Sequence, residues 1–244
     1  LATKVHGDMS DPLDGPNSPA GLSSYKIRRH LEGSLRRLQT DHIELYQMHH
    51  IDRNVSWDEL WEAFQIAIVQ GKIGYVGSSN FAGWDLVKAQ YEAKNRHMLG
   101  LVSEQHKYNL LCRLPELEVL PAAEHLGIGV VAWSPLDGGL LGGNAAKKLA
   151  GSRTANDNRY EKFRTQLEAF SALCREMGES EANVALAWTL AHPAMTAPII
   201  GPRTLEQFQD TLRVVEIKLD EAVMKRLDEI FPGPGGAAPQ AYAW

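Results

Sequence analysis

Six polar side chains of this chain stand at or just after the ends of short apolar runs. They are Lys4, His49, Asn80, Gln105, Ser134 and Arg203. Together they offer an ammonium, an imidazole, two amides, a hydroxyl and a guanidinium, which can bind a carbonyl oxygen, a polar heterocycle and a phosphate. Each residue alone predicts little. If the apolar runs are parallel strands, the six groups converge at one rim, which predicts a shared site.

The runs that carry these residues alternate with helical patterns. The predicted strands are Ala2–Val5, Ile43–Met48, Ile73–Gly77, Leu101–Glu104, Ile128–Trp133 and Ala197–Gly201. The predicted helices begin at Ser23 or Ser24 and at Trp57, and then cover about 84–95, 115–126, 158–177, 181–191, 205–214 and 221–230. Strand and helix in alternation predict an α/β fold with a parallel sheet and helices outside it. Loops are predicted over 7–21 and 138–157.

Five motifs follow one another in a fixed order. They are LATKV at 1–5, ELYQMHHID at 44–52, GSSNF at 77–81, AWSPL at 132–136 and IGPR at 200–203. This ordered set resembles the aldo-keto reductases, a family of NADPH-dependent carbonyl reductases on a (β/α)8 barrel, and most of all their potassium-channel β-subunit-like and bacterial branch. The resemblance implies a TIM-type barrel with about six of its eight βα units in this sequence. One barrel domain is thus expected over 1–244, with an irregular tail over 232–244.

The position of Lys4 sets an expectation about what precedes it. In the resembling family the catalytic lysine ends the third barrel strand, whereas here it is the fourth residue. The family's catalytic aspartate and tyrosine belong to the two strands before it, so we expect an N-terminally incomplete barrel. Neither Tyr46 nor Tyr108 occupies the position of the family's tyrosine.

Lys4 and His49 are the candidate catalytic residues. Lys4 taken alone is compatible with an ordinary surface lysine, or with a buried ammonium that lowers the pKa of a nearby tyrosine. His49 and His50 with Asp52 raise the alternative of a metal site. Side chains alternate along a strand, so the two histidines are expected to point opposite ways and not to share an ion. The resemblance gives His49 the role of hydrogen bonding to a substrate carbonyl oxygen, and no metal is predicted.

The remaining candidates are assigned to NADP(H). The resemblance implies that Ser79 or Asn80, with Gln105, binds the nicotinamide carboxamide, and that Trp133 stacks on the ring. A core tryptophan and residues that cap strand ends are the structural alternatives. Ser134, Pro135 and Leu136 follow in the same motif. The resemblance further implies a 2′-phosphate pocket at a helix N-terminus, with Gly201 and Arg203. Gln207 and Asp210 of that helix are expected to contact the adenine and ribose. Arg153, in the long loop that covers the pyrophosphate in the family, is an additional candidate.

Composition limits the function classes. The net charge is −5 and no basic run stands out, which disfavours nucleic-acid binding. No apolar stretch is long enough for a membrane span. Two cysteines without CxxC spacing favour free thiols in the cytoplasm. We therefore expect a cytoplasmic enzyme that reduces an aldehyde or ketone of unknown identity. The alternative is a non-catalytic nucleotide-binding or regulatory module, and a homo-oligomer stays open.

Overall fold

The computed structural model describes residues 1–8, 21–143 and 159–242. Arg153, Trp244 and most of the two predicted loops lie outside the described residues. The strands are β1 (Ala2–Val5), β2 (Ile43–Met48), β3 (Ile73–Ser79), β4 (Leu101–Lys107), β5 (Gly129–Trp133) and β6 (Met195–Pro198). The helices are α1 (Ser24–Leu38), α2 (Trp57–Val69), α3 (Gly83–Asn95), α4 (Val119–Leu126), α5 (Arg159–Lys162), α6 (Arg164–Met177), α7 (Glu181–Ala191), α8 (Leu205–Thr211) and α9 (Glu221–Ile230).

The chain forms two compact units. The first comprises Leu1–His106 and Ala122–Gly129, and the second comprises Lys107–Pro121 and Val130–Trp244. Every strand pairing within a unit is parallel: β1 to β2, β2 to β3 and β3 to β4 in the first, and β5 to β6 in the second. The α/β prediction is therefore confirmed. Within the described ranges, no helix is long and apolar enough to cross a membrane.

Helix α1 of the first unit begins at its predicted cap. The Ser23 hydroxyl accepts a hydrogen bond from the Lys26 amide at 3.3 Å, which satisfies one of the free donors of the first turn. Ile27, Leu31, Leu35 and Leu38 recur with the 3.6-residue period of a helix, which predicts one buried face. The first three are buried, whereas Leu38 is exposed because it is the last residue of the helix.

One glycine brings the strands of the first unit close together. In the parallel register Lys4 lies opposite Gln47, Gln47 opposite Gly77, and Gly77 opposite Ser103. A Cβ at Gly77 would lie 3.0 Å from Gln47 Cγ and 3.1 Å from the Ser103 carbonyl oxygen, closer than ordinary contact. Glycine at this position therefore leaves room for the buried Gln47 side chain on the face that carries Lys4.

Several predicted boundaries in the second unit are wrong. Strand β6 ends at Pro198, not at Gly201. The Ile199 amide still donates to the Ala132 carbonyl of β5 at 2.8 Å, but the chain from Ile199 onward is exposed. The predicted helix over 158–177 is two helices interrupted at Phe163 (φ −112°, ψ 15°). The helices predicted over 115–126 and 205–214 each include a 3-10 segment, at Leu114–Glu116 and Leu212–Glu216.

Candidate functional site

The carboxyl ends of β1 to β4 bring together the five candidate residues of the first unit. Directly after β2, the His49 amide donates to the Val5 carbonyl at 2.9 Å, which joins β2 to the end of β1. The side-chain amide of Asn80 donates to the His49 carbonyl at 3.1 Å. The Asn80 backbone amide donates to the Gln105 carbonyl at 3.1 Å, and the Ser79 hydroxyl donates to the same carbonyl at 2.7 Å. With Lys4 on β1, these residues form a continuous polar edge.

The conformation of Asn80 suits its residue type. Its φ is +59°, in the left-handed region that asparagine tolerates better than most residues. This turn ends β3 and directs the Asn80 amide to the neighbouring strand end. The amide donates to the His49 carbonyl and, at 3.0 Å, to the Ser79 hydroxyl oxygen, so it holds the ends of β2 and β3 in place.

Lys4 is half-buried, which lowers the pKa of its ammonium below the ordinary value. Desolvation is the cause, because burial disfavours the charged form of an amine. The charge of Lys4 in turn contributes to the environment of His49. The surface-lysine interpretation is therefore weaker than the sequence alone suggests.

The rings of His49 and His50 stack, with centroids 4.8 Å apart and an interplanar angle of 17°. The prediction that they point opposite ways is wrong, because β2 ends at Met48 and its alternation does not continue into the two histidines. The His6 ring meets His50 edge-on at 5.5 Å. Burial, then His50, Lys4 and His6, lower the pKa of His49. At neutral pH the imidazole of His49 is therefore uncharged.

The described residues contain no group of three or more His, Cys, Asp or Glu side chains arranged to hold a metal ion.

Glu104 is a buried carboxylate that the sequence analysis did not single out. It accepts hydrogen bonds from the Ser78 hydroxyl at 2.5 Å and the Phe81 amide at 3.1 Å, and pairs with His106 Nδ1 at 2.9 Å. Its side chain is fully buried. A charged residue inside the apolar run of β4, directly before Gln105, was the signal in the sequence.

The second unit holds the AWSPL motif at the end of β5. Trp133 is partly buried, and the Lys107 ammonium lies 5.9 Å from its ring centroid. Ser134 has φ +55°, and its carbonyl accepts from Asn109 Nδ2 and from the Asp137 amide, both at 2.9 Å. Pro135 is buried and Leu136 is partly buried. The turn after the strand is therefore fixed by hydrogen bonds on both sides.

Asp137 is a second buried carboxylate that the sequence analysis missed. Its Oδ1 lies 2.8 Å from Lys107 Nζ, and its Oδ2 lies 2.5 Å from Arg159 Nη1. Only 5% of its side chain is exposed. Its φ is +47°, so Asp137 and Ser134 both adopt left-handed conformations in one turn. Two cations thus fix the segment that follows Trp133.

The residues predicted for the 2′-phosphate, adenine and ribose of the cofactor lie in the exposed stretch 201–210. The Arg203 backbone amide donates to Gln207 Oε1 at 2.8 Å, so the Gln207 side chain caps this turn. Asp210 faces the other way: its carboxylate accepts from Asn183 Nδ2 of α7 at 3.0 Å. Gly201 has no atom within 4 Å of an added Cβ. The structure therefore brings Arg203 and Gln207 together and ties Asp210 to α7.

Comparison with known proteins identifies the family of this chain. Residues 1–231 match the family model of the Aldo/keto reductase family. YrpG, an uncharacterized oxidoreductase of Bacillus subtilis (strain 168), is 67% identical over 245 residues, covering 100% of this chain and 75% of YrpG. From Schizosaccharomyces pombe, a proposed aryl-alcohol dehydrogenase is 32% identical (93% of this chain, 67% of that protein). A proposed voltage-gated potassium channel subunit beta from the same yeast is 31% identical (94% and 70%).

The chain belongs to the aldo/keto reductase family. The family fold is a (β/α)8 barrel, and the parallel βα units of the described residues form part of such a barrel. Family membership and the relative at 67% identity identify an oxidoreductase of the class that uses nicotinamide cofactors.

Proposed function

We propose that this protein reduces aldehydes or ketones to alcohols with NADPH. The observation that carries the proposal is the polar edge of the first unit, where Asn80 links His49 to Gln105. It offers an imidazole and an ammonium for a carbonyl substrate beside amides and a hydroxyl for a carboxamide. Two free cysteines support a cytoplasmic location.

The donor set fits a nicotinamide. A carboxamide needs both donors and acceptors, and the side-chain amide of Gln105 offers both. The Ser79 and Asn80 side chains donate to Gln105, His49 and each other, so they hold this end of the site in shape around the carboxamide. Trp133 of the second unit offers an aromatic face, and Arg203 offers an exposed guanidinium suited to a phosphate. When bound, the cofactor supplies a hydride from C4 of its nicotinamide ring.

The chain's own residues act on the substrate oxygen and its proton. His49, held neutral by its surroundings, donates a hydrogen bond to the carbonyl oxygen and orients the substrate. The Lys4 ammonium stabilises the anion of a neighbouring acid and so lowers that acid's pKa. In the family this acid is a tyrosine.

Neither interior tyrosine of this chain suits the role of general acid. Burial raises the pKa of Tyr46 and of Tyr108. The Tyr46 hydroxyl is buried beside Phe64, and the Tyr108 hydroxyl donates to Glu116 at 2.9 Å. This observation favours one alternative, a nucleotide-binding or regulatory module without turnover.

Two measurements on the same protein separate these functions. Isothermal titration calorimetry with NADPH tests binding, and the loss of NADPH absorbance with a panel of aldehydes and ketones tests turnover. Binding together with turnover supports the reductase, and His49→Gln should then lower kcat while leaving NADPH affinity within about twofold. Binding without turnover on any carbonyl supports the module. Absence of NADPH binding overturns both.

A further inference from the structure

We infer that Glu104 is a positioning residue for the nicotinamide site: it holds the end of β3 against β4 so that Asn80 and Gln105 present their amides together. The inference rests on the proposed NADP(H) function. It concerns a residue which itself does not belong to the polar edge, because its side chain points into the protein and is fully buried.

The carboxylate of Glu104 contacts one backbone amide and two side chains at three positions along the chain. Oε2 accepts from the Ser78 hydroxyl on β3, and Oε1 accepts from the Phe81 amide in the turn that follows. Ser79 and Asn80, the two residues between these contacts, carry the groups proposed for the carboxamide. Because Ser78 and Phe81 flank Ser79 and Asn80, the contacts of Glu104 hold both ends of this two-residue segment in place.

The same carboxylate also makes contacts along β4, the strand that pairs with β3. Glu104 precedes Gln105 on β4, whose carbonyl accepts from both Ser79 and Asn80. Oε1 of Glu104 also meets His106 Nδ1 at 2.9 Å, which orients the residue after Gln105. Glu104 is thus bonded across the interface between β3 and β4 and along β4 itself. A buried acceptor with this many donors is costly to remove, because each donor loses its partner.

The proposed positioning role requires a hydrogen-bond acceptor at position 104 and does not require a negative charge. In Glu104→Gln the amide oxygen can still accept from Phe81 and His106, and the new NH₂ can donate to Ser78 Oγ. Ser78 can then turn its hydrogen toward the Ser103 carbonyl, 3.5 Å away. Glu104→Ala removes all three contacts. Positioning therefore predicts rescue by glutamine, whereas an electrostatic role of the carboxylate predicts that both variants fail.

The test compares two ligands by calorimetry: NADP⁺, which carries the nicotinamide, and adenosine 2′,5′-bisphosphate, which lacks it. Glu104→Ala should weaken NADP⁺ binding by about tenfold or more, the cost of misaligned polar groups, and leave the bisphosphate within about twofold. Glu104→Gln should keep both affinities within about threefold of the wild type. Bisphosphate binding also reports that the variants are folded.

Asp85→Asn is the matched control. Asp85 is also a buried carboxylate of the first unit, bonded to Arg53 at 2.5 Å and to the Ala82 amide at 3.3 Å. It lies at the start of α3, so its loss should lower stability without changing the ratio of the two affinities.

The outcomes separate the inference from the function on which it rests. Unchanged NADP⁺ affinity in Glu104→Ala overturns the inference alone. An equal loss of affinity for both ligands in Glu104→Ala also overturns the inference. So does a loss of NADP⁺ affinity in Glu104→Gln beyond about threefold, since each result shows a role other than positioning. A wild-type chain that binds neither ligand overturns the proposed cofactor and the inference with it.

Discussion

Asn80 spans two strand ends of the first unit: its side-chain amide donates to the carbonyl of His49 at 3.1 Å, while its backbone amide donates to Gln105. Asn80 was predicted either to contact the cofactor or to cap a strand end, and it does connect the ends of β2 and β4. One asparagine thus joins His49, proposed to contact the substrate, to Gln105, proposed to contact the cofactor.

The first prediction concerns this asparagine. Asn80→Ala removes the bond to His49 and places an alanine at φ +59°, so the free energy of unfolding should fall by about 2–3 kcal/mol. Asn80→Gly removes the same bond without the conformational cost and should lose about 1 kcal/mol less. Urea denaturation measures both. Equal stability of the two variants would contradict the role of the left-handed turn.

The second prediction tests the phosphate role of Arg203. Arg203→Ala should weaken NADP⁺ binding by about tenfold or more and leave NAD⁺ within about twofold, because only NADP⁺ carries the 2′-phosphate. Arg213→Ala is the control, since Arg213 is another exposed guanidinium of the same unit and pairs with Glu179 at 2.9 Å. Calorimetry with NADP⁺ and NAD⁺ gives the ratio of the two affinities in each variant. Equal losses for NADP⁺ and NAD⁺ would rule out a 2′-phosphate contact.

Much of this arrangement could be predicted from the sequence, and the failures have physical causes. The bounds of β1 and β2 match their predictions because short β-branched runs flanked by polar residues define strands locally. The end of β6 does not, because Ile199 and Ile200 continue the apolar pattern of a strand although both are exposed. Glu104 and Asp137 were missed because their importance lies in contacts to residues distant along the chain. Burial of a charge is a tertiary property, and in the sequence only the position of Glu104 inside the apolar run of β4 signals it.

The third prediction concerns the turn after Trp133. Asp137→Asn keeps the shape of the side chain and a residue type that tolerates φ +47°, but removes the charge between Lys107 and Arg159. The free energy of unfolding should fall by about 1–3 kcal/mol, because a buried acceptor loses its charge-assisted bonds while both cations stay partly solvated. Urea denaturation measures the loss. In the Lys107→Met background, Asp137→Asn should lower the free energy of unfolding by less than it does in the wild type. Identical losses in the two backgrounds would show that Asp137 and Lys107 are not coupled.

The fourth prediction concerns the protonation of His49. Burial, His50, Lys4 and His6 all lower its pKa, so its NMR titration midpoint should fall below the ordinary value of about 6.5. Asp52 raises the pKa of the nearby His6, but burial and His50 outweigh it there. The resonance is assigned by its absence in His49→Gln. Removing a neighbouring charge should raise the midpoint in both His50→Gln and Lys4→Met.

The same shift has a defined effect on stability. A histidine with a lowered folded-state pKa is neutral when folded, so its favourable contribution is complete above about pH 6.5. Below that pH the unfolded chain binds the proton first, and stability falls until the pH reaches the folded-state pKa. His50→Gln should therefore flatten this loss in urea titrations between neutral and acidic pH. His125→Gln, at an exposed histidine on α4, is the control and should leave the His49 midpoint unchanged. A His49 midpoint at or above the ordinary value would show that its neighbours do not keep it neutral.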